Sequence, residues 1–266
     1  MTEKAHKNLA KKRVGMSSPS LSLVPLEKAF VHVYEAGFRL WEIVAEGEHL
    51  LLDKRKQIEN LLASYDMEIT IHAPLSDVNI ASPNPPMRDA AFDFIWRTMD
   101  IAHDLGVKVF TIHPGHISPL GFFAPEKIRK LSVAAVKKID RISRGYDMTI
   151  CLENMPCMAT TICHTPEEIE EHLDGTDLMF CLDTGHANTC GNLREFIRLR
   201  DRIGNVHFHD NDGKKDQHLP PGEGTLDMDV VREMLANYTG NIIVESRNIE
   251  EGKKGAEYVE KLFKTS

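Results

Sequence analysis

The sequence predicts an α/β protein built as a (β/α)8 barrel, in which eight parallel strands form a closed ring inside a ring of helices. Two observations predict this fold. Short apolar runs alternate with longer segments of helical periodicity along the whole chain, and they recur about every 33 residues, which accommodates a strand, a loop and a helix. The length of 266 residues suits one such domain, and no linker or change in composition divides it. We therefore expect a single domain over residues 1–266, with residues 1–12 as a solvated tail.

Each predicted strand is a short apolar or β-branched run that ends in a polar residue. The runs are Arg13–Met16, Leu40–Val44, Glu68–His72, Lys108–His113, Met148–Glu153, Leu178–Asp183, Asn205–His207 and Asn241–Glu245. An open, doubly wound sheet is the structural alternative. If a sheet of that kind bound a dinucleotide, its first turn would be rich in glycine. The turn after the first run is Met16-Ser17-Ser18-Pro19, which contains no glycine. We therefore favour the closed barrel.

Helix signals lie between the runs. Thr165, Pro166 and Glu168 form a capping box, in which threonine precedes the first helical turn and glutamate occupies its third position. Asn84 and Pro85 mark another helix start. A further segment carries one apolar stripe at helical spacing, formed by Ile128, Leu131, Ala135, Ile139 and Ile142.

Composition and charge exclude some classes of function. The chain has 32 basic and 40 acidic residues and a formal net charge of −8, which argues against a dedicated nucleic-acid-binding protein. No apolar run reaches the roughly 18 residues that a membrane helix needs, and the first residues lack the apolar segment of a secretory signal. The five cysteines form no zinc-ribbon pairing, so we expect reduced thiols in a cytoplasmic protein without a membrane partner.

Six of the predicted strands end in ionisable side chains. In a barrel the carboxyl ends of the strands converge at one mouth, where such folds place their active sites. Three histidines and three carboxylates at one mouth would repel one another or stay unpaired without a cation. We therefore predict a site for a divalent cation such as zinc, manganese, magnesium or cobalt. The six residues are His72, His113, Glu153, Asp183, His207 and Glu245.

Further candidate ligands lie in the loops that follow the strands. His186 comes three residues after the sixth strand end, and Asp216 and His218 form a D-x-H pattern in the seventh loop. The same loop also contains His209 and Asp210. A lone histidine is more often a core or surface residue than a ligand, so these residues gain weight only together with the strand ends.

Three other residues are candidates for binding a substrate. Glu42, in the second strand, is a hydrogen-bonding partner for substrate hydroxyls, and the alternative is an outward-facing strand residue. Lys214 and Arg247 are candidates for holding a phosphate group, and their alternative is a solvated loop charge.

Seven motifs carry a resemblance to a known superfamily. They read HAPLSDVNIASPN, TIHPGH, CLENMP, CLDTGHA, VHFHDND, DQHLPPGEG and IIVES. With them the chain, from about Arg13 to Phe263, resembles the xylose-isomerase-like TIM-barrel superfamily. That superfamily includes sugar isomerases and epimerases and also the endonuclease IV family of abasic-site nucleases, AP endonuclease family 2.

The resemblance implies one to three metal ions, depending on the branch. In the sugar-isomerising members one divalent ion is held by residues that match Glu153, Asp183, His207 and Glu245. In the nuclease branch three zinc ions are held by residues that match His72, His113, Glu153, Asp183, His186, His207, Asp216, His218 and Glu245.

The loops depart from the nuclease pattern. His209 replaces the asparagine that is usual after the seventh-strand histidine, and the loop after Glu153 is not rich in glycine. The run Ala73–Asp77 stands where the nucleases have an aromatic and polar stretch. The second loop, Ala45–His49, is acidic where loops that hold DNA should be basic. These departures argue against DNA binding but not against the metal site.

Two reactions fit these residues, and we favour the first. A metal-dependent isomerase or epimerase would act on a sugar or sugar phosphate, with Glu153 and Glu245 moving a proton through an enediolate while His186 bonds a substrate hydroxyl. Alternatively, a trinuclear zinc phosphodiesterase would cleave DNA at abasic sites, with Glu153 bridging two ions. A non-catalytic metal-binding barrel is a third class. All three are compatible with a homo-oligomer.

Overall fold

The computed structural model describes residues 13–264, in which eight parallel strands close into a barrel in chain order. The predicted (β/α)8 TIM barrel is therefore confirmed, and each predicted strand agrees with an observed one to within two residues at either end. The tail predicted for residues 1–12 lies outside the described residues. The strands are β1 (Arg13–Ser17), β2 (Leu40–Val44), β3 (Glu68–His72), β4 (Val109–Ile112), β5 (Thr149–Glu153), β6 (Met179–Asp183), β7 (Ile203–Phe208) and β8 (Asn241–Glu245).

One α-helix follows each strand. The hydroxyl of Thr165 accepts the backbone N–H of Glu168 at 3.4 Å, so the predicted cap of the fifth helix is confirmed. Asn84 precedes the third helix without a side-chain bond to it, and the helix begins at Pro85, which has no N–H to satisfy. In residues 13–264 no helix combines the length and the apolar character that crossing a membrane requires. The helices are α1 (Leu26–Glu35), α2 (Leu51–Ser64), α3 (Pro85–Asp104), α4 (Pro125–Ser143), α5 (Pro166–Leu173), α6 (Thr184–Cys190), α7 (Met228–Met234) and α8 (Ile249–Lys264).

The main apolar core includes side chains from both the strands and the surrounding helices. Ile112 of β4 and Val136 and Ile139 of α4 are fully buried members of it. Complete burial of such a side chain contributes about 1.5–3 kcal/mol. The apolar stripe predicted for α4 lies on the buried side of that helix, although two of its members, Leu131 and Ile142, are partly exposed. The helices therefore pack on the barrel and leave its mouth to polar side chains.

The barrel interior is polar just below the mouth. Glu42 on β2 is directly opposite Thr70 on β3, and the threonine hydroxyl donates to the Glu42 carboxylate at 3.1 Å. The side-chain amide of Asn205 on β7 donates to the same carboxylate oxygen at 3.0 Å and to the hydroxyl of Thr111 at 3.1 Å. Because side chains alternate along a strand, this layer supports the residues two positions further on.

Loops at the mouth bond to their neighbours. The side chain of Asn79 donates to the carbonyl of His116 at 2.9 Å and accepts its N–H at 3.1 Å, which joins the third and fourth loops. Gly115 adopts φ +88° beside it, and a Cβ there would lie 2.8 Å from the Asn79 amide oxygen. The N–H of Ile117 donates to the carbonyl of Thr160 at 2.7 Å and joins the fourth and fifth loops. These bonds hold the rim around the site.

Candidate metal centre and active site

The structure brings the six strand-end side chains together at the barrel mouth. Five of them are buried, and His113 is partly exposed, with 22% of its side chain accessible. The strand register explains the convergence, because Asp183 at the end of β6 is paired with His207 near the end of β7. Parallel strands in one ring therefore deliver their last side chains to one level.

Glu153 is the centre of the arrangement. One of its carboxylate oxygens lies 3.2 Å from Nε2 of His72 and 3.3 Å from Nε2 of His113. The other oxygen lies 3.3 Å from Nδ1 of His186 and 3.4 Å from Nδ1 of His207. A carboxylate with different histidines at its two oxygens has the geometry of a bridging ligand.

Backbone carbonyls orient two of these histidines. Nδ1 of His72 donates to the carbonyl of Ala73 at 2.7 Å, and Nε2 faces the Glu153 carboxylate at 3.2 Å. Nδ1 of His186 donates to the carbonyl of Asn154 at 2.8 Å, and its Nε2 faces the carboxylate of Asp216. Metal-binding histidines are commonly oriented in this way, with one ring N–H on a carbonyl or carboxylate and the other nitrogen on the ion.

Glu42 orients His207 from below. Nε2 of His207 lies 2.7 Å from the Glu42 carboxylate, so Nδ1 is the nitrogen that faces the mouth. Glu42 is fully buried and points into the barrel, which rules out the outward-facing alternative considered from the sequence. It also lies beneath the strand-end side chains, with Thr70 and Asn205 on its second oxygen, and this placement gives no support to a bond with substrate hydroxyls.

Four residues, which we call the core cluster, have donor atoms suited to a divalent cation. Nδ1 of His207 lies 3.2 Å from Glu245 and 4.0 Å from Oδ2 of Asp183. Neither this nitrogen nor this Asp183 oxygen makes a hydrogen bond with any residue in 13–264, although a buried polar atom left unpaired costs about 1–3 kcal/mol. A cation would satisfy both atoms. The core cluster consists of Glu153, Asp183, His207 and Glu245.

Opposite charges in the core cluster stabilise one another. Burial alone would lower the pKa of His207, but surrounding negative charges, including those of Glu42 and Glu245, hold it well above the usual range. Burial alone would raise the pKa of Glu153, but His207 and His113 hold it well below the usual range. Glu153 is therefore ionised and His207 carries a balancing proton. A divalent cation that binds here replaces that proton as the positive charge.

A second group of side chains, which we call the outer cluster, lies beside the core cluster. Asp216 accepts from two histidines, with one carboxylate oxygen 3.3 Å from Nε2 of His186 and 3.2 Å from Nε2 of His218. Nδ1 of His218 also lies 3.5 Å from Glu245. All nine residues that match the trinuclear pattern therefore form one connected set of side-chain contacts. The outer cluster consists of His186, His209, Asp216 and His218.

His209 belongs to this site, although the sequence placed it only in a crowded loop. Its Nε2 lies 3.1 Å from Asp183 and 3.5 Å from Asp216, and the residue is fully buried. The signal that points to it is its spacing from His207. The two histidines are two residues apart at a strand end, where alternating side chains share a face.

The two basic candidates lie apart from both clusters. The guanidinium of Arg247 turns to Glu251 on α8, with two N···O distances of 2.8 Å, and is half exposed. Lys214 is exposed in a turn where its N–H donates to Asp212 at 2.9 Å. Phosphate binding by these residues stays a prediction.

Known proteins share this fold and much of this sequence. Residues 30–263 match the family model described as xylose isomerase-like TIM barrel. MJ1311 of Methanocaldococcus jannaschii is 36% identical over 255 residues, which cover 92% of this chain and 87% of that protein. A probable endonuclease 4 of Acholeplasma laidlawii is 27% identical over 63% of this chain and 62% of its own.

A solved structure agrees with this assignment. The crystal structure of a D-tagatose 3-epimerase-like protein superposes with a TM-score of 0.88 and 34% sequence identity, and the match covers 95% of this chain and 97% of that one. Relatives in both branches are enzymes by name, whether epimerase-like or nuclease. On the extent of these matches, the chain belongs to the xylose isomerase-like TIM-barrel family.

Proposed function

We propose that the protein is a divalent-metal-dependent isomerase or epimerase that acts on a sugar or sugar phosphate. The observation that carries the proposal is the pair of carboxylates on β5 and β8. Glu153 and Glu245 approach one atom, Nδ1 of His207, at 3.4 Å and 3.2 Å. Strands five and eight lie three apart in the ring of eight, so these carboxylates reach the centre from nearly opposite sides. Similarity to the D-tagatose 3-epimerase-like structure supports a sugar as the substrate class.

The core cluster would hold the metal, with His207 oriented by Glu42 and the three carboxylates around it. A divalent cation bound there polarises a carbonyl and makes the neighbouring C–H more acidic. Glu153 and Glu245 would then flank the substrate, one as a carboxylate that accepts a proton and the other as a carboxylic acid that donates one. One carboxylate removes the proton from one face of the carbon. If the other carboxyl group donates a proton to the opposite face, the configuration of that carbon is inverted. If a proton is instead added to the adjacent carbon, the carbonyl moves to its neighbour.

The surroundings of the carboxylate pair suit a proton transfer that excludes water. Glu153 and Glu245 are 1% and 6% exposed, and bonds between neighbouring loops hold the rim above them. His186, 3.3 Å from Glu153, lies where a bond to a substrate hydroxyl is within reach, and that role is part of the proposal.

The test is isotopic. The purified protein is incubated in deuterated water with ketoses and ketose phosphates and with Mn, Mg, Co or Zn, and deuterium is followed at the carbons beside the carbonyl. Metal-dependent uptake that disappears in Glu153→Gln and in Glu245→Gln, but persists in the exposed control Glu27→Gln, is the expected result. Deuterium uptake that does not depend on the metal, or that persists in both variants, contradicts the proposal.

One observation favours a second candidate, a zinc phosphodiesterase acting at abasic sites. All nine residues that match the trinuclear ligands are connected by side-chain contacts, and Glu153 contacts different histidines with each oxygen. The relative named probable endonuclease 4 supports it further. Three zinc ions per chain together with cleavage of an abasic duplex, and no deuterium uptake from any sugar, would make this candidate the better one.

A further inference from the structure

We propose that Cys157 and Cys190 form an oxidisable pair of thiols, a modification site for small-molecule disulfides such as oxidised glutathione. Cys157 lies in the fifth loop, four positions after Glu153, and Cys190 ends α6, four positions after His186. Oxidation of the pair to a disulfide would join the fifth loop covalently to α6. The inference does not depend on the proposed sugar reaction.

The two thiols are neighbours in the folded chain, although they are far apart in the sequence. The backbone N–H of Cys157 donates to the hydroxyl of Thr189 at 2.9 Å, and the same hydroxyl lies 4.0 Å from Sγ of Cys190. Burial raises the pKa of Cys190 to about 12, and a hydrogen bond with the thiol of Cys157 adds to that increase. Because the two thiols are already in contact, rotations of their side chains bring the sulfur atoms to bonding distance.

Solvent access separates this pair from the other cysteines. Cys157 is exposed and Cys190 is partly exposed, whereas the other three cysteines are fully buried. Burial also raises the pKa of each of these three thiols, which keeps them protonated, and the thiolate is the form that attacks a disulfide. A dissolved disulfide therefore reaches Cys157 first. The three buried cysteines are Cys151, Cys163 and Cys181.

The reaction consists of two thiol–disulfide exchanges. The Cys157 thiolate attacks one sulfur of the small disulfide, so a mixed disulfide forms and one small thiolate leaves. The Cys190 thiolate then attacks the Cys157 sulfur, so the protein disulfide forms and the second small thiolate leaves. The two small thiolates take up the two protons of the protein thiols. The protein thus loses two electrons and the small disulfide gains them. The first exchange also removes the Cys157 thiol, one cause of the raised pKa of Cys190, and this favours the second exchange.

A disulfide at this position would restrain contacts that orient His186. The carbonyl of Asn154, at the start of the fifth loop, accepts Nδ1 of His186 at 2.8 Å. The hydroxyl of Thr189 donates to the carbonyl of His186 at 2.7 Å and accepts the N–H of Cys157. These hydrogen bonds already join the loop to the helix in the reduced protein. A covalent bond between the same two elements would suppress the local opening that separates them.

Treatment of the full-length protein with oxidised glutathione tests the pair. Free thiols are counted, and the masses of the intact protein and of its peptides are measured after quenching with acid. We expect wild type to lose two of its five thiols, to retain no glutathione and to give one cross-linked peptide that contains Cys157 and Cys190. Cys190→Ser should instead retain one glutathione on Cys157, and Cys157→Ser should lose thiols at least about tenfold more slowly than wild type. Cys151→Ala, which removes a buried cysteine, is the matched control and should behave as wild type.

Backbone amide hydrogen exchange tests the restraint. In oxidised wild type, the amides of the fifth loop and of α6 should exchange more slowly than in the reduced protein, and the midpoint of thermal unfolding should rise by several degrees. Cys157→Ser should show neither change after the same treatment.

Four results would overturn the inference. They are a wild-type protein that keeps all five thiols, one that retains glutathione on Cys157, a cross-link that joins other cysteines or two chains, and a cross-linked protein whose fifth loop exchanges as fast as before. Circular dichroism shows whether each variant folds, and an alanine at the same position replaces a serine variant that does not. Because the readouts are thiol count, mass and amide exchange, failure of the sugar reaction leaves this test intact.

Discussion

The two clusters at the barrel mouth differ in how the chain positions them. In the core cluster Asp183 and His207 belong to neighbouring strands, are paired in register and have fully buried side chains. In the outer cluster Asp216 and His218 lie on the seventh loop, and their side chains are 25% and 19% exposed. The core cluster is further supported by Glu42 below it.

This difference separates two tasks. A side chain held by a barrel strand and by a buried partner is preorganised before any ligand arrives, and proton transfer needs that accuracy. A side chain on a loop gains much of its order from the contact it makes. We therefore expect changes to the core cluster to affect chemistry and changes to the outer cluster to affect loop order and metal content.

The largest expected effect compares one residue from each cluster. Glu153→Gln should lower kcat/KM for deuterium exchange by about 10²- to 10⁴-fold, because it removes both a metal ligand and a proton carrier. Asp216→Asn should lower it by less than about tenfold, because Asp216 moves no proton in the proposed reaction. Kinetics with the sugar that shows exchange give both ratios. Equal losses in the two variants would remove the distinction between the clusters.

Glu42 should matter for metal affinity more than for folding. Glu42→Gln keeps the shape of the side chain but removes the charge that orients His207, and such partners are worth about 10- to 100-fold in affinity. Competition with a chelator should show that loss at the core cluster alone. Glu68→Gln, at the exposed start of β3, is the matched control. If metal affinity falls equally at both clusters, Glu42 stabilises the barrel as a whole and does not act specifically through His207.

The pH should act on the outer cluster through His218. Burial alone would lower the pKa of His218, but Asp216 and Glu245 raise it to about 9. The raised pKa means that the ring holds a proton below pH 9, and that proton must leave before the ring binds a cation. Affinity should therefore fall by at least about tenfold for each pH unit below 9, because the pKa of His186 in the same cluster is raised as well. Chelator competition from pH 9 to pH 7 measures the slope, and Asp216→Asn should move its onset toward the ordinary histidine range. A flat profile in wild type would contradict this.

Much of the fold was predictable because it depends on local patterns. A buried strand of a barrel reads as a short apolar run, so all eight strands and their order were found, and the polar residue that ends each run located the mouth. The six strand-end residues followed from topology, since every parallel strand ends at the same face.

The rest depends on contacts that no local pattern contains. Glu42 alternates with apolar neighbours like an exposed strand residue, and only closure of the barrel shows that it lies under His207. His209 needs the space left by Gly185, which is distant in sequence. Arg247 follows the end of β8, so its position in the sequence made it a candidate for holding phosphate. In the structure its guanidinium instead bonds to Glu251 on α8.

The smallest expected effect concerns DNA, and it tests whether the rim of the mouth suits a nucleic acid. Phosphate neutralisation supplies most non-specific affinity, and the net charge here is −8. In the second loop, the Glu46 carboxylate accepts the hydroxyl of Ser76 at 2.7 Å and Glu48 is exposed. We expect no submicromolar binding of an abasic duplex at physiological salt, and little gain from Glu48→Lys. A titration at low salt controls for general charge, because non-specific binding is strongest there. Submicromolar binding at physiological salt, or nicking at the lesion, would make the rim a DNA surface and the outer cluster part of a phosphodiesterase.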